Sequence, residues 1–359
     1  DLPAGVFLVA RGAVSDQDAA AKLEKQAMAV TLKDVAKRAG VSRSAVSRTF
    51  TPGASVSDKT RAKVEQAARA LGYHPNALAS SLTTGRTKLI GLVSNNFHNP
   101  VFLQVFDLFT RALQDRGLRP LLVNLSDEID PTNSVRMLRQ YSVDGVVVAS
   151  STLPPSFAEA FAEAGIPIVN SFGRPVAASK VHIVGIDNIA AGRLAASTLI
   201  ARGYRRVGFL GGPEAATTTQ DRLTGFAEVV AAHPGVVLSH SFATAYSFDA
   251  GRCEMLRLVQ QGPAEAYFCG DDVLSIGALS ALQDSGLSVP EDVGLIGLND
   301  MEMAGWENIA LTTIRQPISE IVRSSVDLIS AFVADPDHPV EARVLPCALI
   351  ERRTLRPLP

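Results

Sequence analysis

Residues 42–49 read SRSAVSRT, directly after TLKDVAKRAGV. Two arginines, three serines and a threonine crowd around a two-residue apolar anchor, Ala45 and Val46. Arginine carries a planar fork of donors that matches guanine O6 and N7, and serine hydroxyls bond to any base edge. Such a segment can read a hydrogen-bonding polyanion, provided the anchor holds its helix on a core and leaves Arg43, Ser44, Ser47 and Arg48 facing out. The charge distribution agrees. From Thr31 to Ile90 eleven Lys and Arg stand against three Asp and Glu, a balance of +8, so a total of −2 leaves −10 for the rest of the 359 residues. A basic head on an acidic body points to a polyanion partner for the head.

The elements that must position these side chains follow from apolar spacing and capping residues. Leu32, Val35, Ala36 and Ala39 repeat at helical intervals, with Thr31 as N-cap and Gly40 as the stop. Ser42 caps a second helix whose inner face is Ala45, Val46 and Thr49. SDKTRAKVEQAARALGY then gives a third, capped at Ser57 and ended by Gly72. This is the spacing of a helix-turn-helix, whose second helix enters the major groove. Thr31, Leu32, Ser42 and Ser57 join the candidate DNA-contacting set, and Lys59 and Arg61, opening the third helix, are directed at phosphate.

After Lys88 the texture changes. Short β-rich runs such as LIGLVSN, VDGVVVAS, VHIVGID, RVGFLGG and VGLIGLN alternate with amphipathic stretches such as FLQVFDLFTRALQDRG. Near-continuous apolar strands separated by helices imply parallel sheets covered on both faces. Eight or more strands over about 270 residues suit two doubly wound subdomains better than one. The expected fold is therefore α/β: a three-helix headpiece, then two parallel-sheet subdomains. Residues 1–29 carry no comparable pattern and are expected to be a disordered or artefactual leader.

Several classes are disfavoured. The chain has no nucleophile elbow, no zinc-protease helix and no phosphate-binding loop, and its six histidines form no pair at ligand spacing. No catalytic residue, metal site or cofactor is expected. Cys253, Cys269 and Cys347 lack metal-ligand spacing and are expected to be reduced thiols of a cytoplasmic, nucleoid-associated protein. No apolar run reaches the ~18 residues of a membrane span.

The head and body together resemble the LacI/GalR (lactose-repressor) family of bacterial transcription regulators. The resemblance rests on TLKDVAKRAGVSRSAVSRTF, ASVSDKTRAKVEQAARALGYHPNALASSL and GRTKLIGLV in the head. In the body it rests on DNIAAGRLAASTLI, GYRRVGFLGGP, DRLTGF, GDDVLSIGALSAL and SVPEDVGLIGLND. It implies a body of periplasmic-binding-protein type, a homodimer rather than a tetramer, a palindromic double-stranded operator, and a small effector, a sugar or derivative. It divides the chain into a DNA-binding domain at 30–74, a hinge helix and linker at 75–88, and an effector-binding and dimerisation domain at 89–359. The N-subdomain is expected at 89–186 and 314–341, the C-subdomain at 187–313 and 342–359.

In HPNALASSLTTG, Pro75 suits a helix start and Gly85 a helix end, but eight residues between them are too few for a helix stable alone. The resemblance makes this the hinge helix of the minor groove, with Leu82 as wedge, Ala79 where the groove floor comes close and Asn76 on the backbone. It also implies effector contacts from Asp272 and Arg222. Asp271, the neighbour of Asp272, is then expected simply to cap the helix. Phe102, Tyr246 and Trp306 fall near positions where the family packs apolar groups on its ligand, or else are core. Asn170, Asn96 and Arg174 supply further polar contacts. A regulatory repressor is the reading these features favour. A sugar-binding protein without a regulatory role is the alternative.

Overall fold

The computed structural model describes residues 30–51, 53–76, 81, 84–125, 130–174 and 179–359. The chain divides into two compact units, Asp1–Thr87 and Lys88–Pro359. The leader expected at 1–29 lies outside the described residues.

The first unit contains three helices, α1 (Leu32–Ala39), α2 (Arg43–Thr49) and α3 (Asp58–Leu71). Each start is fixed by a hydroxyl residue. Thr31 donates to the Asp34 carboxylate from its amide at 2.9 Å and from its hydroxyl at 2.6 Å. These bonds hold the Asp34 carboxyl below its ordinary range. Ser42 accepts from the Ala45 amide and Ser57 from the Thr60 amide. Gly40 ends α1 at φ +64°, a left-handed turn that costs a side chain strain and suits glycine. Val35, Val46 and Val64, one from each helix, are fully buried and form the centre of a small core with Ala36, Ala67 and Ala68.

The second unit contains two six-stranded sheets. The first is built from β1 (Leu89–Ser94), β2 (Arg119–Asn124), β3 (Gly145–Ala149), β4 (Ile168–Ser171), β5 (His182–Ile186) and β11 (Ala342–Leu345), in the spatial order β11-β5-β4-β3-β1-β2, all parallel. The second comprises β6 (Arg206–Gly211), β7 (Val237–Phe242), β8 (Ala266–Cys269), β9 (Gly294–Asn299), β10 (Thr313–Arg315) and β12 (Ala348–Ile350). Its order, β12-β10-β9-β8-β6-β7, repeats that of the first sheet, with β12 antiparallel at the edge. Every residue of β3, β5, β8 and β9 is buried, as helices on both faces of a parallel sheet require. In both sheets the order reverses at the first strand, between β1 and β3 and between β6 and β8. A crevice opens at the carboxyl ends of strands at such a switch point.

The helices that matter to this crevice are α4 (Val101–Asp115), α7 (Asn188–Ala201), α8 (Thr217–Ala231), α9 (Phe248–Gln261), α10 (Asp272–Asp284) and α11 (Ile318–Ala334), counting α5 (Pro131–Gln140) and α6 (Pro155–Glu163) between the first two. The expected last crossings need correction. β10, ending at Arg315, belongs to the second sheet, although residues from 314 were expected in the first subdomain. β11 belongs to the first sheet, paired with β5 through Ala342 and Ile183, although residues from 342 were expected in the second. The run ARVLPCALI looks like one strand. Pro346 lacks the amide hydrogen a ladder needs, and the chain changes sheet there.

Candidate functional site

Two constellations stand out, one in each unit. On α2 the buried residues are Val46 and Thr49, and Ala45 is half-buried. Arg43, Ser44 and Arg48 are exposed on the other side, with Ser47 half-buried beside them. The Ser42 and Ser44 hydroxyls share a hydrogen bond of 2.9 Å, so the start of α2 presents two hydroxyls and a guanidinium together. Lys59 is exposed at the start of α3. Arg61 is differently placed: its Nη1 donates to the Thr49 carbonyl at 3.0 Å, tying α3 to the end of α2. A cation there also opposes the negative end of the α2 dipole. Leu32 packs against the headpiece core, Ser57 is occupied as a cap, and Thr31 is exposed but bonded to Asp34.

In the second unit a cleft lies between the two sheets at their switch points. It holds about 440 Å³ of space unfilled by atoms, its open mouth included. One wall is apolar, from Val101, Phe102, Val105, Phe172, Ile186 and Ile318; the facing groups are Ser151, Asn188, Arg222, Asp271, Asn299 and Gln316. Asp271 follows β8 and caps α10, its Oδ1 accepting from the Val273 amide at 2.8 Å. Its Oδ2 accepts from Asn99 across the cleft and from Asn299 beside it, each at 2.8 Å. Asn299 in turn accepts from Gln316 at 2.6 Å. Burial pushes the Asp271 carboxyl up to about 6, against the pull of these donors.

Arg222, on α8, is 4 % exposed. Its Nε donates to Asn188 Oδ1 at 2.8 Å, and its Nη1 to the Gly270 carbonyl at 2.7 Å and to the Tyr246 hydroxyl at 3.4 Å. None of its nitrogens meets a carboxylate at ion-pair distance among the described residues, and Nη2 has no protein partner there. Two further contacts cross between the halves: Thr218 donates to the Ser151 carbonyl at 2.8 Å, and Arg174 pairs with Asp221 at 3.0 Å. Burial raises the Asp221 carboxyl above its ordinary range, partly offset by Arg174 and Arg222.

Comparisons with known proteins match segments of both units. Residues 31–76 match the family profile for bacterial regulatory proteins of the lacI family, and residues 196–355 match the periplasmic binding protein-like domain. The transcriptional regulator CelR of Thermobifida fusca is 33% identical over 320 residues, 85% of this chain and 94% of CelR. The chain belongs to the LacI family. Like its relatives in that family it is an effector-controlled, DNA-binding transcription regulator. A CelR–cellobiose complex superposes with a TM-score of 0.67 at 30% identity, covering 90% of this chain and 99% of that one. The lac repressor dimer bound to its operator and an anti-inducer superposes with a TM-score of 0.79 at 26% identity, covering 90% and 98%.

Of the cleft residues that the LacI resemblance implied, Phe102 and Arg222 line the cleft. Tyr246 stands behind Arg222, its hydroxyl shared with Thr219 at 2.7 Å. Asp272 does not line the cleft. It is fully buried in the first turn of α10, accepting from the Thr313 hydroxyl at 2.5 Å and the Met301 amide at 2.9 Å. Burial and the neighbouring Asp271 push its carboxyl up to about 7. Its neighbour Asp271 faces the cleft instead. Trp306, 49 % exposed after the 3-10 turn Glu302–Gly305, is not a cleft residue, and Asn170 is not among the lining groups. Asn99, Asn188, Asn299 and Gln316 were not anticipated. Of the hinge candidates, Asn76 is exposed, and Ala79 and Leu82 lie outside the described residues.

Proposed function

We propose that this LacI-family chain is a cytoplasmic repressor that binds a palindromic operator as a homodimer and answers to a sugar or sugar derivative held in the cleft. Residues 30–74 read the operator, with Arg43, Ser44, Ser47 and Arg48 towards base edges and Lys59 on phosphate. Residues 75–88 couple the two units. The observation that carries the effector half is Arg222: a guanidinium 4 % exposed, held by neutral acceptors, with Nη2 left over for a guest. A buried cation without an ion-pair partner is costly, and a hydroxyl-rich or polar ligand repays that cost by accepting from it. Asp271, next to the Gly270 carbonyl that Arg222 holds, supplies an acceptor for such a ligand's hydroxyls. The sugar complex of CelR, a relative of similar length, supports the ligand class.

The test is selection of bound DNA from a random pool, followed by a carbohydrate screen against the selected site. A two-fold-symmetric site whose affinity shifts with one sugar family is expected. Enrichment of no symmetric site would refute the operator reading. A symmetric site insensitive to every carbohydrate would refute the effector reading.

A further inference from the structure

The second unit begins with a residue in an unusual conformation. Lys88, directly before β1, has φ +61°, the left-handed region that β-carbon sterics close to most side chains. Backbone of this kind persists only where its surroundings hold it, and it gathers at functional sites. Of the six non-glycine residues at positive φ among the described residues, Phe172 and Asn299 line the cleft. Lys88 lies at the opposite end of β1 from the cleft, on the boundary with the first unit.

Three hydrogen bonds hold the turn. The Lys88 amide donates to the Asp144 carboxylate at 2.9 Å, and the Lys88 carbonyl accepts from the Arg119 amide at 2.8 Å. The Asp144 amide donates in turn to the Leu89 carbonyl at 2.8 Å. Asp144 therefore brackets the Lys88–Leu89 step from both sides, forward with its backbone and back with its side chain. Two neighbouring strands supply these partners: Arg119 opens β2, and Asp144 directly precedes β3. A side-chain acceptor serves the Lys88 amide because the β1–β3 ladder begins only at the pairing of Ile90 with Gly145. The lysine side chain itself is exposed, so the turn is fixed through the backbone. From here β1 and β3 run side by side to the cleft, almost wholly buried. There Asn99 and Ser151, in the segments after them, bond across to Asp271 and Thr218.

We propose that Asp144 is a positioning residue for operator recognition. By holding Lys88 in its left-handed turn, it fixes the direction in which the linker leaves the body. In a homodimer two such turns set how far apart the two heads are delivered, and so which spacing of operator half-sites is read. Loss of the carboxylate lets Lys88 return to negative φ, which swings the chain off its set direction before the linker begins. The heads then reach half-sites of more than one spacing, while base reading by Arg43 and Arg48 within each half-site is unaffected. This inference rests on the reading of the chain as a homodimer on a symmetric operator.

The test uses the full chain and the symmetric site that the parent selects from a random DNA pool, with copies of that site one base pair longer or shorter at the centre. One base pair moves the half-sites by about 3.4 Å and turns them by about 35°. The parent should bind its own spacing about 30-fold more tightly than either altered one, and Asp144→Ala should cut that preference below about threefold. Lys88→Val, whose branched side chain disfavours positive φ, should do the same with the carboxylate intact, which keeps the test decisive if Asp144→Ala folds poorly. Asp144→Asn keeps an acceptor for the Lys88 amide and Lys88→Gly keeps the turn, so both should retain the parent's preference. A parent indifferent to spacing, or Asp144→Ala and Lys88→Val as selective as the parent, would overturn the inference while leaving the operator reading in place. So would a preference lost equally in Lys88→Gly and Lys88→Val, which would trace the effect to the lysine's charge. Selection of no symmetric site would overturn both.

Discussion

Substituting Gly192 by alanine should damage the ligand cleft from behind. Gly192 on α7 faces α8 at a close helix crossing. A methyl carbon built there falls under 3.0 Å from the carbonyl oxygen of Arg222 and 2.9 Å from the amide of Phe226. The obstacle is backbone, which cannot swing aside, and Gly225 of α8 makes the reciprocal approach to the Ile189 carbonyl. The helices must part by roughly 1 Å to restore van der Waals separation. Overpacking of this kind costs about 3 kcal/mol at its upper end, and the better helix propensity of alanine returns about 1 kcal/mol. A net ~2 kcal/mol corresponds to a fall in Tm of roughly 4 °C for a domain of this size. The same shift moves Arg222 itself. Its bonds to Asn188 at 2.8 Å and to the Gly270 carbonyl at 2.7 Å lengthen beyond hydrogen-bond range. Ligand affinity should then fall about tenfold to a hundredfold, or ~1.4–2.7 kcal/mol, with operator affinity at 25 °C unchanged. Scanning fluorimetry and calorimetry on Gly192→Ala measure both. A variant that melts within about 1 °C of the parent and keeps its ligand affinity would show that this crossing does not fix Arg222.

Three further outcomes are expected. Arg43→Ala should relax preference at one position per half-site, costing roughly 1–3 kcal/mol there, whereas Lys59→Ala should weaken all sites alike and flatten the salt slope by about one; indistinguishable profiles across a mutated-operator panel would reverse the roles. Arg61→Ala should instead lower the thermal stability of the headpiece by about 1 kcal/mol, because the Thr49 carbonyl loses its donor, and an unaltered melt would return Arg61 to the phosphate contacts. Asp272 sits near 7 in the fold against about 3.9 when unfolded, so the native state holds the extra proton between those values and stability falls as pH rises through that window. Asp272→Asn, which stays neutral, should gain stability over the parent progressively from pH 5 to pH 7.5, by an amount on the order of a few kcal/mol, and a pH-independent difference would contradict the assignment.

The headpiece was legible because its signals are local. Thr31, Gly40, Ser42 and Ser57 mark boundaries within four residues of the groups they cap, and the valines at 35, 46 and 64 keep helical spacing. The alternation of buried strands and helices was legible for the same reason. The crossing at Pro346 was not, since a strand's sheet is chosen by its partner, here β5 for β11 and β10 for β12. The cleft was legible only in part. Asn99 and Asp271 are 172 residues apart in sequence, and Asn99 gains its meaning only from the carboxyl opposite. The exchange of Asp271 for Asp272 has a narrower cause. In GDDV the first aspartate caps α10 and the second enters its first turn, so their side chains diverge, one to the cleft and one towards Thr313. Composition cannot rank two adjacent aspartates. Arg61 shows the converse: a basic residue beside a DNA-reading helix looks like a phosphate contact until the carbonyl it serves is visible.

The account's central claim is that DNA reading and ligand sensing reside in separate parts of one chain and are energetically coupled. Fluorescence anisotropy on the selected operator, titrated with effector for the parent and for Arg222→Met, tests it most directly. The account predicts operator affinities equal within about threefold, ~0.7 kcal/mol, and an effector response present in the parent and absent in the variant. A variant that responds like the parent, or that loses operator binding together with the response, would contradict it.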